Sequence, residues 1–217
     1  MEIVGDYQRD GYALVRGLIP RTVCNALLNQ MKGEIEGAGG RLESIARESP
    51  LLARPAVELY GYHYPPLLGF LWALTPTIET LVGAALLPTY DYFRIYRDGD
   101  VCRVHSDRPS CEHSLSLTLD YSDGEAWPLE VGTEALVDPR PEVTADFAGQ
   151  PYASLAMEPG DAVLYRGVHR RHGRITPNPN AWSAHLFCHW VGRDGPFKAH
   201  AFDGNAALAR PVNFRFG

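Results

Sequence analysis

The segment Tyr92-Phe-Arg-Ile-Tyr-Arg-Asp-Gly-Asp-Val-Cys-Arg-Val-His-Ser-Asp107 carries the pattern that decides the fold. It is rich in aromatic and β-branched residues, and a polar Asp-Gly-Asp turn divides it, which predicts two short β-strands. The second strand ends at His105-Ser-Asp107. Because side chains alternate along a strand, His105 and Asp107 lie on one face and can both reach a single metal ion.

The same pattern extends over residues 89–195, where short apolar segments are separated by Gly, Pro and Asp and helical periodicity is lost. Strands are predicted at residues 89–96, 101–107, 112–121, 128–132, 152–157, 162–167, 171–175 and 182–191. About eight strands are typical of a jelly roll, so we predict a mainly β fold with flanking α-helices.

The rest of the chain flanks this core. Residues 1–88 form the N-terminal flank, with a strand at 12–19 and an amphipathic helix at 21–35. Residues 41–85 are interpreted as helices and loops packed on the barrel. The C-terminal tail, residues 196–217, has a weaker pattern and receives no role. We therefore predict that the whole chain forms one domain.

The composition excludes several classes of protein. The 217 residues are 45% hydrophobic and carry a net charge of -6 with no basic run, so we expect no nucleic-acid partner. Cys24, Cys102, Cys111 and Cys188 include no CxxC pair, which argues against a zinc ribbon and favours reduced thiols. No apolar stretch approaches the roughly 18 residues of a membrane span, and the N-terminus lacks a signal-peptide pattern, so we expect a cytoplasmic protein with no membrane partner.

A second histidine must come from a distant strand if His105 and Asp107 hold a metal. The segment from Glu158 to Arg174 offers His169 and His172, behind a Pro-Gly-Asp turn and an apolar strand. They are three positions apart, so in an extended chain they cannot both face the ion. His172 opens the next predicted strand and is favoured over His169.

Two imidazoles and one carboxylate form the ligand set of open iron(II) sites, in which one face of the ion stays free for substrate and oxygen. A His-x-Asp tripeptide alone is a weak signal, because it recurs by chance. Its place on a β-strand, with a strand-borne histidine later in the chain, makes His105, Asp107 and His172 the predicted metal ligands. The other histidines have no partner at metal-ligand spacing and are interpreted as surface or core residues: His63, His113, His189 and His200.

Several segments resemble one enzyme family. They are residues 92–107, Ser114-Leu-Ser-Leu-Thr-Leu-Asp-Tyr121, Trp127-Pro-Leu129, and Pro159-Gly-Asp161 through His172. The chain resembles the 2-oxoglutarate and iron(II)-dependent dioxygenases, in particular their small prolyl-hydroxylase-like branch, over residues 89–191. This resemblance implies a double-stranded β-helix, which is a cupin-like jelly roll. It also implies Fe(II) as the metal, 2-oxoglutarate as cosubstrate and O2 as co-reactant, with the three predicted ligands as the catalytic residues.

The resemblance further implies a basic residue for the distal carboxylate of 2-oxoglutarate. In the family it is usually an Arg or Lys some ten positions after the second histidine, where this chain has Trp182-Ser-Ala184. A carboxylate needs a positive charge or several hydrogen-bond donors. Arg174 ranks first as a replacement because it shares the face of His172. Ser183 and His185, which share one face of the last strand, are an alternative.

Two arginines on earlier strands are further alternatives. Arg94 shares a face with Tyr96, and Arg103 shares a face with the first histidine ligand. By the resemblance, Tyr96 and Thr118 face the cosubstrate. Leucines alternate with hydroxyl residues on the strand of Thr118. For Ser114 on this strand, an alternative is that the leucines form the barrel core and the hydroxyl group faces solvent.

The implied reaction is hydroxylation of an unactivated C–H bond of an amino acid, a peptidyl residue or a small metabolite, with release of succinate and CO2. Asp107 favours hydroxylation over chlorination, because the related halogenases have Gly or Ala at this position. Two alternatives stay open. One is a cupin-type iron dioxygenase that does not use 2-oxoglutarate, and the other is a non-enzymatic jelly-roll binding module.

Overall fold

The computed structural model describes residues 1–137, 139 and 142–215. Within them the chain forms two antiparallel β-sheets and three α-helices. The helices are α1 (Tyr7–Asp10), α2 (Arg21–Gly37) and α3 (Pro65–Val82). The strands are β1 (Glu2–Val4), β2 (Tyr12–Arg16), β3 (Ala46–Arg47), β4 (Ala56–Tyr60), β5 (Leu86–Arg97), β6 (Cys102–His105), β7 (His113–Tyr121), β8 (Leu129–Gly132), β9 (Tyr152–Leu155), β10 (Ala162–Tyr165), β11 (His172–Arg174) and β12 (Trp182–Gly192).

The strand order is consistent with a double-stranded β-helix. The larger sheet has the order β1-β2-β10-β7-β12-β5-β4-β3, and the smaller sheet has the order β6-β11-β8-β9. The predicted mainly β jelly roll with flanking helices is therefore confirmed. Each strand predicted for the core is present, with ends that differ from the prediction by at most three residues.

Helices α2 and α3 cover the outer face of the larger sheet. In α3, the buried side chains Leu67, Leu71 and Ile78 recur at the spacing of one helix face. The helix begins at two prolines and ends at Gly83, whose φ of 70° lies in the left-handed region that favours glycine. Its buried residues belong to one core with Leu117 and the neighbouring leucines of β7. The helices thus bury the apolar face of the sheet.

The inner face of the larger sheet is polar and aromatic. On β7, Ser114, Ser116 and Thr118 are buried, and Ser116 contacts Arg174 of the smaller sheet. The alternative that Ser114 faces solvent is therefore wrong. The leucines of β7 pack on the helices, which leaves the hydroxyl groups to line the space between the two sheets.

Part of the N-terminal flank differs from the prediction. Strands β3 and β4 extend the larger sheet beyond β5, so the interpretation of residues 41–85 as helices and loops is wrong for these two segments. The run Ala56-Val-Glu-Leu-Tyr60 lies between Pro55 and Gly61, which is a strand signal. Because prolines are frequent in the rest of this region, the region as a whole has the pattern of helices and loops, and the strand signal was not recognised.

The four cysteines are buried and form no disulfide. Within the described part of the chain, no helix combines the length and the apolar character that crossing a bilayer requires.

Asp91 is a buried carboxyl group on the outer face of β5. Neither of its side-chain oxygens has a hydrogen-bond partner among the described residues. Burial raises the pKa of Asp91 to about 7. The unfolded chain loses this proton near pH 4, whereas the folded protein keeps it until about pH 7. The free energy of unfolding should therefore fall as the pH rises between about 4 and 7.

We predict that Asp91→Asn flattens this pH dependence. Between pH 5 and pH 8, ionisation of Asp91 should destabilise the wild-type protein by roughly 2 kcal/mol, a change that the variant should lack. Urea unfolding at both pH values measures it. Asp98→Asn, at an exposed turn, is the matched control and should keep the wild-type slope. An Asp91→Asn protein with the wild-type slope would contradict the prediction.

Candidate metal centre

Strand pairing brings two histidines together. β6 and β11 are antiparallel neighbours, and their register sets His105 directly opposite His172. The two rings have centroids 4.3 Å apart, and both side chains are largely buried. Residues far apart in the sequence therefore meet through backbone hydrogen bonds.

A backbone carbonyl orients each of these histidines. His105 Nδ1 lies 2.8 Å from the carbonyl oxygen of Arg103, and His172 Nδ1 lies 2.9 Å from that of Arg170. A carbonyl only accepts, so Nδ1 carries the proton and donates it in each ring. Metal-binding histidines usually make such a hydrogen bond. In the neutral form of each ring, Nε2 therefore keeps a free lone pair.

Asp107 completes the cluster just beyond β6. Its N–H donates to the carbonyl of Gly167 at 2.9 Å, and the Ser114 hydroxyl donates to its Oδ2 at 3.0 Å. Its Oδ1 lies 3.6 Å from His105 Nε2 and 3.4 Å from His172 Nε2. A Cβ at Gly167 would overlap the Asp107 carboxylate, so this close approach requires glycine.

The cluster fits a single iron(II) ion. Ligand atoms about 2.1 Å from an ion and at right angles lie about 3.0 Å apart, so the observed separations need only small side-chain shifts. Burial opposes ionisation of Asp107. Nevertheless, His172 and His105 lower the pKa of Asp107 well below its usual value, so the carboxylate is charged. Two neutral imidazoles and one carboxylate are the donor set that open iron(II) sites use.

The structure places His169 outside this cluster. Its Nδ1 lies 3.4 Å from the carbonyl oxygen of Leu136, and its ring lies against Phe197. Two groups of three ligand atoms within 4.8 Å of one another occur among the described residues: His105, Asp107 and His172, and Asp107, Cys111 and His189. The geometry therefore agrees with the choice of His172 over His169.

A cavity of about 790 Å³ opens from the metal ligands. Pockets of this size hold small organic molecules. One wall is aromatic: Tyr60, Tyr90 and Tyr92 stack with centroids 5.3 to 6.4 Å apart, and Phe187 stacks on Tyr92 at 4.7 Å. Tyr60 and Tyr62 both line the cavity.

Arg174 and Tyr96, two of the predicted cosubstrate residues, line the same cavity. Arg174 is 1% exposed, donates to the carbonyl oxygens of Trp127 and Pro128 at 2.8 Å, and lies over the Trp127 ring. No acidic side chain of the described residues forms an ion pair with it, and its Nε has no hydrogen-bond partner there. The cavity thus contains a buried guanidinium that forms no ion pair among the described residues, although the charge of the buried Glu130 acts on it without direct contact.

Thr118, Ser183 and His185 lie behind Arg174 and do not line the cavity. His185 Nδ1 lies 3.3 Å from both Arg174 Nη2 and Thr118 Oγ1, and Nε2 lies 2.8 Å from Ser183 Oγ. An arginine only donates, so Nδ1 accepts and Nε2–H donates to Ser183. Burial and the charge of Arg174 hold the pKa of His185 well below its usual value. The placement differs from the prediction of direct cosubstrate contact, because these groups orient Arg174 instead.

The other two predicted arginines have partners. Arg94 Nε donates to Glu58 at 2.8 Å, and Nη1 donates to Tyr96 Oη at 2.8 Å. Arg103 donates to the carbonyl oxygen of Pro50 at 2.6 Å and does not line the cavity. Glu58 therefore neutralises Arg94, and Arg103 lies outside the cavity.

Sequence reasoning missed two cavity residues. His189 was interpreted as an isolated histidine, although its alternation with Ser183 and His185 places it on the inner face of β12. Asp203 belongs to the tail that received no role, yet it pairs with Arg108 at 2.8 Å and lines the cavity. No local pattern in the tail indicates this contact.

Comparison with known proteins identifies the fold. No protein-family model and no curated protein sequence matches the chain. Among solved structures, AviO1 from Streptomyces viridochromogenes Tue57 matches with a TM-score of 0.64 at 20% identity, over 88% of this chain and 93% of that one. The epimerase SnoN, in complex with Fe3+, alpha ketoglutarate and nogalamycin RO, matches with a TM-score of 0.64 at 13% identity, over 86% and 80%. A Pseudomonas putida prolyl-4-hydroxylase matches with a TM-score of 0.55 at 13% identity, over 86% and 96%.

The fold is that of the iron(II)- and 2-oxoglutarate-dependent oxygenases. The matches include a prolyl hydroxylase, which agrees with the branch that the sequence resembles. At these low identities the likeness describes the fold.

We predict that His172→Ala abolishes high-affinity iron(II) binding and that His169→Ala leaves it unchanged. Loss of one of three ligands should weaken binding by roughly 100-fold or more, a larger effect than the loss of a supporting contact. Anaerobic calorimetry with iron(II) measures both variants. Equal affinities for the two variants would contradict the assignment.

Proposed function

We propose that the protein is a non-haem iron(II) and 2-oxoglutarate-dependent oxygenase that hydroxylates an unactivated C–H bond of a small metabolite, an amino acid or a peptidyl residue. One observation carries the proposal. The free Nε2 atoms of His105 and His172 converge with the Asp107 carboxylate in a cavity that also contains the unpaired Arg174. A cation and a metal-ligand set in one cavity suit a dicarboxylate that bridges them.

Arg174 is the proposed partner of the distal carboxylate of 2-oxoglutarate. A buried guanidinium without an anionic partner is costly, and a bound carboxylate would compensate its charge with charge-assisted hydrogen bonds. Arg94 is the weaker candidate, because Glu58 already neutralises it. Tyr96 Oη accepts a hydrogen bond from Arg94 and lies in the same lining, where it can contact the cosubstrate.

The other residues of the site have separate roles in the proposed reaction. His105, Asp107 and His172 would hold the iron, and the carbonyls behind the two histidines fix the orientation of each ring. His185 keeps Arg174 aimed at the cavity, and Trp127 covers the guanidinium. When bound together, iron(II) and 2-oxoglutarate supply the O2-dependent redox chemistry, which yields succinate and CO2.

The unpaired Arg174 also bears on the alternatives. A dioxygenase that does not use 2-oxoglutarate, or a binding module without a metal, has no evident need for a buried cation beside a metal-ligand set. Asp107 supports hydroxylation over halogenation, because it fills the ligand position with a carboxylate. SnoN is described as an epimerase, so product analysis has to distinguish oxygen insertion from other outcomes of C–H cleavage.

The expected partners are a small-molecule or peptide substrate and neither nucleic acid nor membrane. Four buried cysteines without disulfides support a reducing, cytoplasmic environment.

We predict that Arg174→Met weakens 2-oxoglutarate binding by roughly 10- to 100-fold, which corresponds to the loss of charge-assisted hydrogen bonds. The measurement is an anaerobic titration of the iron(II) protein with 2-oxoglutarate, followed through the visible charge-transfer band. Arg174→Lys should recover part of the affinity. Arg103→Met is the matched control and should bind as the wild type does.

Two results would contradict different parts of the proposal: the role of Arg174 and the oxygenase activity. If Arg174→Met keeps the wild-type affinity, another residue holds the distal carboxylate. If the wild-type protein shows no band at saturating iron(II) and 2-oxoglutarate and releases no succinate in air, it is not an oxygenase of this kind.

A further inference from the structure

His189 is a cavity residue with an unused ring nitrogen. It lies on β12, is 2% exposed, and has one ring nitrogen within 4.8 Å of a carboxylate oxygen of Asp107. Its Nδ1 lies 3.0 Å from Ser114 Oγ. Its Nε2 has no hydrogen-bond partner among the described residues. A buried polar atom of this kind is rare unless a ligand satisfies it.

The Ser114 hydroxyl determines which nitrogen of His189 carries the proton. This hydroxyl has one hydrogen, and two pure acceptors compete for it: Asp107 Oδ2 at 3.0 Å and the carbonyl oxygen of Cys111 at 3.2 Å. Since the hydroxyl donates to one of them, the hydrogen between Ser114 and His189 must come from Nδ1. The unpartnered Nε2 is therefore an acceptor, and it needs a donor from the ligand.

An aromatic surface extends from His189 toward the cavity mouth. The His189 ring lies 4.6 Å from that of Tyr90, Tyr90 lies 6.2 Å from Tyr92, and Tyr92 lies 5.3 Å from Tyr60. We call Tyr60, Tyr90 and Tyr92 the tyrosine wall. Aromatic side chains offer a large apolar contact area, which suits the apolar C–H groups of a ring.

The arginines that lie over the rings of Tyr92 and Tyr90 are each paired with a carboxylate. Arg94 pairs with Glu58 at 2.5 Å, and Arg108 pairs with Asp203 at 2.8 Å. Apart from Arg174 and the metal ligands, the lining charges without an ion pair among the described residues are exposed: Arg47, Glu48 and Glu142. A charged substrate group would therefore find no free counter-charge beside Tyr90 and Tyr92.

From these contacts we infer the substrate class: an uncharged cyclic molecule with hydroxyl groups on its ring. One ring face packs on the tyrosine wall, and one hydroxyl donates to His189 Nε2. This inference rests on the proposed function and narrows it, because free amino acids carry two charges that the wall does not match. His189 acts as a specificity residue that presents the hydroxyl-bearing part of the ring beside Asp107.

The test uses methyl pyranosides of the common hexoses as probes, with free amino acids for comparison. Each probe is titrated by calorimetry into the wild-type protein, both metal-free and loaded anaerobically with iron(II) and 2-oxoglutarate. At least one pyranoside should bind and shift the charge-transfer band. Its fully O-methylated counterpart, which keeps the ring and lacks the donors, should bind at least roughly tenfold more weakly.

Two variants separate the contributions of His189 and the wall. His189→Phe should weaken pyranoside binding at least roughly tenfold while 2-oxoglutarate affinity stays within about twofold, and His189→Gln should keep part of the binding. Tyr60→Leu, which alters no proposed metal or cosubstrate ligand, should weaken pyranoside binding without changing iron(II) or 2-oxoglutarate affinity.

The inference is overturned if amino acids bind and no pyranoside does, if O-methylation has no effect, or if His189→Phe binds the pyranoside as the wild type does. A missing charge-transfer band has a different meaning. If pyranosides still bind the metal-free protein in a His189-dependent manner, the substrate class stands and only the proposed chemistry fails.

Discussion

The backbone hydrogen bonds between β6 and β11 are the constraint on which the candidate site depends. Their register sets His105 opposite His172, and the carbonyl oxygen two residues earlier in the chain then orients each ring. A shift of one residue in this pairing would turn one histidine to the other face of the sheet. This register requires glycine at position 173, because a Cβ on Gly173 would clash with the backbone of β6. The metal-ligand set is thus a property of the sheet.

The two faces of the larger sheet lie in different environments. On β7, the leucines face helices α2 and α3, while Ser114, Ser116 and Thr118 face the space between the sheets. The apolar face provides most of the hydrophobic burial that stabilises the fold. The inner face can therefore hold polar and charged groups, which are costly to bury and persist because nearly all are paired. The exceptions on this face are Nε of Arg174 and Nε2 of His189. These unpartnered atoms indicate where ligands would bind.

Much of the fold was predictable, because the jelly-roll strands follow period-two alternation with turn residues between them. The ligands His105 and Asp107 were accessible for the same reason, since they share one strand end. The short strand β4 was missed among prolines. Asp203 was not predictable, because the tail reaches the cavity through tertiary contacts and has no local pattern. His189 was accessible by the alternation that places Ser183 and His185 on one face, because it lies four residues after His185 on the same strand.

The position of the basic residue shows why a motif spaced along the chain can fail. In the family that the sequence resembles, an Arg or Lys follows the second histidine by some ten residues, and this chain has Ser183 there. Arg174 lies only two residues after His172, yet His185 contacts both Arg174 and Ser183, at 3.3 and 2.8 Å. The two sequence positions therefore meet at the same end of the cavity. What a dicarboxylate requires is a cation at that end, and a basic residue from either of the two sheets can provide it. The constraint is spatial, so spacing along the sequence need not preserve it.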